Sequence, residues 1–186
     1  MKKISILYHS GYGHTEKLAK HIEKGVLMVA NTEAKLVTTE DFLKDNDCLN
    51  DSHGIIFGSP TYMGSVSAAF KTFMEATSKI WYERKFKDKI AAGFTNSKSM
   101  SGDKLNSLIQ MAVFAAQHGM IWVSQAELDT SEIIGDKNGI NRIGSYLGAM
   151  AQSDNAPADV TPPIGDLLTA EMLGRRVAEI CHKFNF

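Results

Sequence analysis

The chain has 186 residues, with 20 Lys plus Arg against 21 Asp plus Glu, 44% apolar residues and two cysteines. A chain of this length can withdraw roughly 70% of its extended surface from water, so it builds one core without disulfides or a structural metal. Cys48 and Cys181 stand far apart and outside any C-x-x-C spacing, which argues against a disulfide framework, a zinc site or a thioredoxin-like site and leads to the expectation of a reducing cytoplasm. No apolar run reaches the about 18 residues of a membrane span, and the first strand-like segment begins at Ile4, without room for a signal peptide. A net charge of -1 supplies no basic field for nucleic acid and no acidic field for a cationic partner, so a small molecule is the expected partner.

Ile4 to Tyr8 is short, apolar and β-branched, which predicts a buried strand ending at Ser10-Gly11. Leu18, Ile22, Val26 and Val29 then recur on one helical face. Ala34 to Val37 predicts a weaker strand, and Asp41 to Leu49 a short helix or loop. His53 to Gly58 reads as a central strand closed by Ser59-Pro60, because proline donates nothing to a ladder. Val66, Phe70, Phe73 and Met74 keep helical spacing. Ile90 to Thr95 predicts another buried strand, followed by a polar loop from Asn96 to Gly102. Leu105, Leu108, Ile109, Ala112 and Ala116 mark a helix that Gly119 ends. Met120 to Val123 predicts a strand, and Leu173, Val177, Ile180 and Phe184 a final helix. Between them, Ser124 to Leu168 lacks strong periodicity, apart from a short strand candidate at Tyr146 to Met150. A stretch this long is an active-site cover, a subunit contact or a plain surface insertion. Nothing divides the chain, so residues 1–186 form one domain. Apolar strands alternating with helices predict a parallel sheet covered on both faces, with right-handed crossovers.

Three loops then fall on the carboxyl edge of that sheet. Ser10-Gly11-Tyr12-Gly13-His14-Thr15 joins the first strand to the first helix. Free N–H groups and the positive dipole end at a helix start suit a phosphate, and the two glycines allow close approach. The loop matches neither G-x-G-x-x-G nor a Walker-type pattern, and lacks the lysine of a phosphoryl-transfer site. Read alone, it is equally a structural turn with Ser10 as helix cap. Pro60-Thr61-Tyr62-Met63-Gly64 offers aromatic and thioether surface to a flat ring, or simply a rigid turn. Asn96 to Gly102, with Ser97, Ser99 and Ser101, offers polar contacts, or simply a loop. In a sheet ordered 2-1-3-4-5 the first two loops share the crevice at the topological switch point.

Ser10 to Thr15, Gly58-Ser-Pro-Thr-Tyr-Met-Gly64 and Gln117-His118-Gly119, in this order, resemble the flavodoxin-fold FMN proteins, in particular the WrbA-type NAD(P)H:quinone oxidoreductases and NAD(P)H-dependent FMN reductases. The resemblance implies a flavodoxin-like doubly wound five-stranded α/β/α fold. It implies that Ser10, Gly11, Tyr12, Gly13, His14 and Thr15 hold the FMN phosphate, and that Pro60, Thr61, Tyr62, Met63 and Gly64 lie against the isoalloxazine. Ser97, Ser99, Ser101 and Gly102 would bind its polar edge. His118 corresponds to a histidine near the flavin, Trp81 to an aromatic residue on the substrate side, and Tyr12 also to a nicotinamide contact. The third loop, NSKSMSG, replaces a glycine-rich run, and Thr15 is the flavodoxin-like choice.

The implied activity is two-electron, ping-pong transfer from NAD(P)H through FMN to a quinone or similar planar acceptor, in a homodimer or homotetramer whose contacts include the region of Trp81. An electron carrier without its own substrate is the alternative, although carriers usually present an acidic docking face that a chain of charge -1 lacks. A flavin-binding sensor or interaction module is a third reading. No metal site is expected: His9, His21, His53 and His182 have no ligand spacing. Read without the family, His118 is a charge partner for a helix end and Trp81 a packing residue. Arg84, Lys85, Lys87 and Lys89 read as a solvated face.

Overall fold

The computed structural model describes residues 1–133 and 135–184. The elements follow as β1 (Lys2–Tyr8), α1 (His14–Leu27), β2 (Thr32–Thr38), α2 (Thr39–Lys44), β3 (Gly54–Tyr62), β4 (Ser65–Val66), α3 (Ala68–Ala76), α4 (Ser78–Tyr82), β5 (Ile90–Ser97), α5 (Lys104–His118), β6 (Ile121–Trp122), β7 (Ala149–Gln152) and α6 (Ile164–Lys183). The sheet runs β2-β1-β3-β5-β6, parallel throughout, which is the expected doubly wound order.

The fifth strand position is split. β6 pairs with Ile90 and Ala91 at the start of β5, and β7 pairs with Phe94 to Ser97 at its end. Residues 123–148 therefore leave the sheet and return to the same edge. The strand expected within Tyr146 to Met150 is observed at Ala149–Gln152, where register with β5 decides its bounds.

Pro60 does not end β3. β1 stops opposite Gly58, so beyond that point β3 has lost one neighbour and a proline there breaks no ladder on that side. The strand continues to Tyr62 and folds back through Met63 and Gly64, at φ 50 and 78, into β4. Two successive left-handed residues make the tight turn whose twist matches a hairpin.

Alternation along the strands supplies two cores. Ile4, Ile6, Ile56, Ile90 and Ala92 face α1 and α6, joined by Leu18, Ile22, Leu173 and Val177. Leu7, Ile55, Phe57 and Ala91 face the other way, toward Phe70 and Phe73 of α3 and Leu108, Met111 and Phe114 of α5. α1 and α6 touch backbone to backbone: a Cβ on Gly174 would stand 2.2 Å from Ile22 O. Lys89 corrects the expected solvated basic face. It is buried, and its ammonium donates to the carbonyls of Leu49, Asn50 and Ser52, fastening the loop ahead of β3. Lys85, by contrast, is exposed and pairs with Asp47 and Glu83.

Candidate functional site

β1, β3, β5 and β7 all point the same way, so the chain after each of them emerges at one edge. There a cavity of about 780 Å3 is lined by Ser10, Gly11, Tyr12, His14 and Thr15, by Pro60 to Met63, by Asn96 to Lys98 and by Ser153 to Pro157. Its size falls within the range of sites for cofactor-sized ligands.

The first wall is the head of α1. Gly13 is its N-cap at φ 85, with no side-chain cap. Glu16 N–H donates to Ser10 Oγ at 3.1 Å and Lys17 N–H to Gly13 O at 2.9 Å. The amides of His14 and Thr15 have no partner among the described residues, and the helix dipole adds positive potential there. Ser10 thus does support the helix, yet its hydroxyl hydrogen remains available. The backbone itself forms the cradle: a Cβ on Gly11 would lie 2.7 Å from the Tyr62 hydroxyl, and one on Gly13 would lie 3.1 Å from Ala158 Cβ. Such a cradle accepts an anionic group through neutral donors.

The second wall is the β3–β4 hairpin. Met63 is fully exposed in a left-handed conformation, a costly placement for a thioether side chain. Tyr62 is two-fifths exposed, and burial pushes its hydroxyl pKa up. Beneath them Thr61 Oγ1 bonds Thr95 Oγ1 at 2.7 Å and Ser107 Oγ at 2.8 Å, tying β3, β5 and α5 together. Gly64 does not line the cavity; it supplies the turn, and its carbonyl accepts from Asn106 Nδ2.

In the third loop only Ser97 of the four expected residues lines the cavity. Ser99, Ser101 and Gly102 shape the turn behind it; a Cβ on Gly102, at φ 53, would lie 2.5 Å from Ser97 Oγ. Lys104 holds that turn from beneath, with Nζ donating to Ser97 Oγ and to the carbonyls of Ser99 and Met100.

The fourth wall comes from the aperiodic segment. Its contact with α1 is explicit: His14 Nε2 meets Ala156 O at 2.8 Å, and Lys17 Nζ donates to Asp159 O at 3.0 Å. Ser153 Oγ donates to Asn96 Oδ1 at 2.8 Å, and Ser153 N–H to Ser97 O at 3.0 Å. Behind it Arg142 clamps Asp166 through two bonds of 2.7 and 2.9 Å, both side chains buried, while Gln152 N–H donates to Asp166 Oδ2. Of the segment Ser124 to Leu168, expected as a cover, a subunit contact or a surface insertion, residues 153–157 line the cavity. Neither they nor Arg142 carries a motif; only the length of the segment signalled them.

His118 and Trp81 are placed elsewhere. They line a separate cavity of about 240 Å3 with Thr77, Phe114 and Gln117, at the far end of α5. That helix starts beside the hairpin and spans 15 residues, about 22 Å, so within one chain neither side chain reaches the loops. Trp81 Nε1 donates to Gln117 O. The one hydrogen of the Thr77 hydroxyl goes to Met74 O at 2.7 Å, so His118 Nε2 must donate to Thr77 at 3.0 Å. His118 Nδ1 is then an acceptor without a partner among the described residues. Burial between Phe86 and Phe114 pushes His118 down to about 4. The other histidines found local partners: His9 with Ser67, His21 with Glu171, His53 with the Lys3 amide and His182 with Thr32.

A phosphate cradle beside an aromatic and thioether wall fits a phosphorylated flat-ring cofactor. Residues 11–132 match the family model of the NADPH-dependent FMN reductases. The chain is 40% identical over 182 residues to flavodoxin FldP of Pseudomonas aeruginosa, covering 97% of each chain. It is 31% identical over 205 residues to an NAD(P)H dehydrogenase (quinone) of Archaeoglobus fulgidus, covering 98% of this chain and 99% of that one. Among solved structures, a flavodoxin, WrbA-like protein from Agrobacterium tumefaciens superposes with a TM-score of 0.76 at 34% identity, over 100% of both chains. No helix among the described residues is long and apolar enough to cross a membrane. The family model, the extent of these relatives and the cavity agree: the chain belongs to the NADPH-dependent FMN reductase family, as a flavodoxin-fold FMN protein of the WrbA type.

Proposed function

We propose that the protein is an FMN-dependent NAD(P)H oxidoreductase that reduces quinones or similar planar acceptors in two-electron steps. The observation that carries this reading is the cavity shared by four loops, with a phosphate cradle at one end and an open, exposed ring wall at the other. FMN bound there supplies the hydride chemistry, and the protein supplies binding and orientation. Gly11, Gly13, Ser10 and Thr15 hold the phosphate. Tyr62 and Met63 form one wall for the ring, and Ser97 with Asn96 offers polar contacts to its edge. Exposure of Tyr12 and Met63 leaves room for donor and acceptor to occupy the same face in turn, hence ping-pong kinetics.

His118 and Trp81 act, in this reading, from a second copy of the chain. α5 carries no charged side chain at its surface: its one lysine is buried, and Leu105, Ile109 and Val113 form an exposed apolar stripe. Antiparallel contact of two such helices brings the His118 end of one copy toward the Met63 end of the other. The free thiols of Cys48 and Cys181 suit a reducing cytoplasmic setting.

Steady oxidation of NADH or NADPH by the FMN-loaded protein with benzoquinone, with parallel double-reciprocal lines, tests the proposal. An electron-carrier reading is favoured by the 40% identity to a protein named flavodoxin. It prevails if the bound flavin accepts electrons only from a reductase protein and nicotinamide alone leaves it oxidised.

A further inference from the structure

Lys104 opens α5 with its side chain fully buried, at 0% exposure. Its three ammonium hydrogens go to Ser97 Oγ at 3.0 Å, Ser99 O at 2.7 Å and Met100 O at 2.8 Å. All three acceptors are neutral. The charges that act on it most are those of Asp166 and Arg142, and these two are already closed on each other as a bidentate pair. On the solvent side, Asp154 lines the cavity but pairs with Lys137 at 3.3 Å. One positive charge therefore lies without a counter-charge, a single hydrogen bond behind Ser97 and the wall of the cavity. Burial pushes it down to about 8, so it still carries its proton at neutral pH.

An ion placed in a dry interior with no opposite charge is costly, and loop geometry alone does not require it. What a buried cation adds is a field that water and salt screen poorly and that reaches the cavity wall at Ser97, whose own hydroxyl hydrogen goes to Ser99 O at 3.1 Å.

Resting on the FMN reading above, we propose that Lys104 sets the charge of the ring end of the cavity, so that the site holds the reduced, anionic ring more tightly than the oxidised, neutral one. Uptake of a hydride adds two electrons and one proton to the ring, which raises its negative charge by one. Lys104 keeps its proton throughout and touches neither donor nor acceptor. It is a charge-setting residue that acts through Ser97 and the carbonyls of Ser99 and Met100. An anion formed in the ring supplies the counter-charge that this fully hydrogen-bonded ammonium lacks.

The decisive quantity is the ratio of affinities for reduced and oxidised FMN, read from the two-electron midpoint potential of the bound cofactor against that of free FMN. Lys104→Met is expected to lower that ratio about tenfold, a shift of about 30 mV for a two-electron couple. The shift should persist at high salt, because the charge is buried. A purely structural role would weaken both redox forms equally and leave the potential unmoved. Lys104→Gln gives a second reading: its amide can still donate to the turn but carries no charge, and it should lower the ratio in the same direction. It decides the matter if Lys104→Met does not fold, as judged by near-UV circular dichroism of the apoprotein. Lys3→Met, an exposed lysine near the start of β1 and so at the sheet edge opposite the cavity, is the control and should not move the potential. An unchanged potential in the folded Lys104→Met variant, or in Lys104→Gln, overturns the inference. Failure of the wild-type protein to bind FMN at all sinks the functional reading instead, so the two failures are distinguishable.

Discussion

Replacing Arg142 by Met removes one half of a fully buried ion pair. Arg142 and Asp166 side chains are 4% and 1% exposed, so solvent screening does not discount their interaction. Asp166 Oδ1 would lose its bond from Nε and Oδ2 its bond from Nη2, keeping only the Gln152 N–H at 2.8 Å. Stranding a buried carboxylate in this way costs about 3–5 kcal/mol. For a chain of this size each kcal/mol moves the midpoint by about 2–4 °C, so thermal unfolding should fall by roughly 6–20 °C.

The pH dependence follows from Asp166. Burial raises its carboxyl above the ordinary value, while Arg142 and the Gln152 amide oppose that rise. A raised folded pKa favours folding where the group is protonated, and that contribution is lost as pH climbs from the unfolded value, about 3.9, through the folded one. Without Arg142 the folded value climbs further, so the deficit at pH 7 should shrink as the buffer is taken toward pH 4. Urea unfolding of the apoprotein at pH 7, 6 and 5 measures it. Arg142→Met/Asp166→Leu, which leaves no stranded charge, should recover most of the loss. A deficit under about 1 kcal/mol, or one that widens on acidification, refutes the reasoning.

Five further outcomes are expected. Gly13→Val should give a folded but colourless protein, because φ 85 is strained for a β-branched residue and its Cβ meets Ala158 at 3.1 Å; unchanged FMN affinity by fluorescence quenching would remove the phosphate assignment. Met63→Gly should stabilise the apoprotein by about 1 kcal/mol through relief of its left-handed backbone while weakening FMN binding, measured by melting with and without FMN. Gly174→Ala should cost about 2–3 kcal/mol by forcing α1 and α6 apart, read by urea unfolding. His118, held down to about 4 in the fold against about 6.5 in the unfolded chain, contributes stability that is complete above pH 6.5 and lost as pH falls toward 4, so His118→Gln should flatten that slope. His118→Ala should also slow acceptor reduction more than it weakens FMN binding, compared by stopped-flow and by titration.

Local signals made much of this molecule legible. Alternating apolar strands and 3.6-residue helical faces fixed the layers, and Gly119 ended α5 at φ 75 where a left-handed residue was expected. The first two loops were readable because glycines, hydroxyls and a proline at strand ends leave a compositional trace. The third loop was only half readable: Ser99, Ser101 and Gly102 carry the right chemistry for a ligand but do not line the cavity, and Lys104 gathers the carbonyls of Ser99 and Met100 inward. Lys89 and Lys104 look like surface cations in any window of sequence. Their burial depends on carbonyls that converge from loops up to 40 residues away.

Beyond the family, which entered through the resemblance of the loop motifs, what the sequence determined by itself was the succession of the main strands and helices and the edge on which the loops lie. These rest on periodicity, turn chemistry and helix-end electrostatics, all of which act over a few residues. Only the tertiary structure decided that residues 153–157 close the cavity, that Arg142 and Asp166 brace them, and that His118 and Trp81 lie at the opposite end of α5 from the loops. Those facts depend on which distant backbones meet and on how far a helix of 15 residues carries its last side chain, quantities that no local pattern encodes.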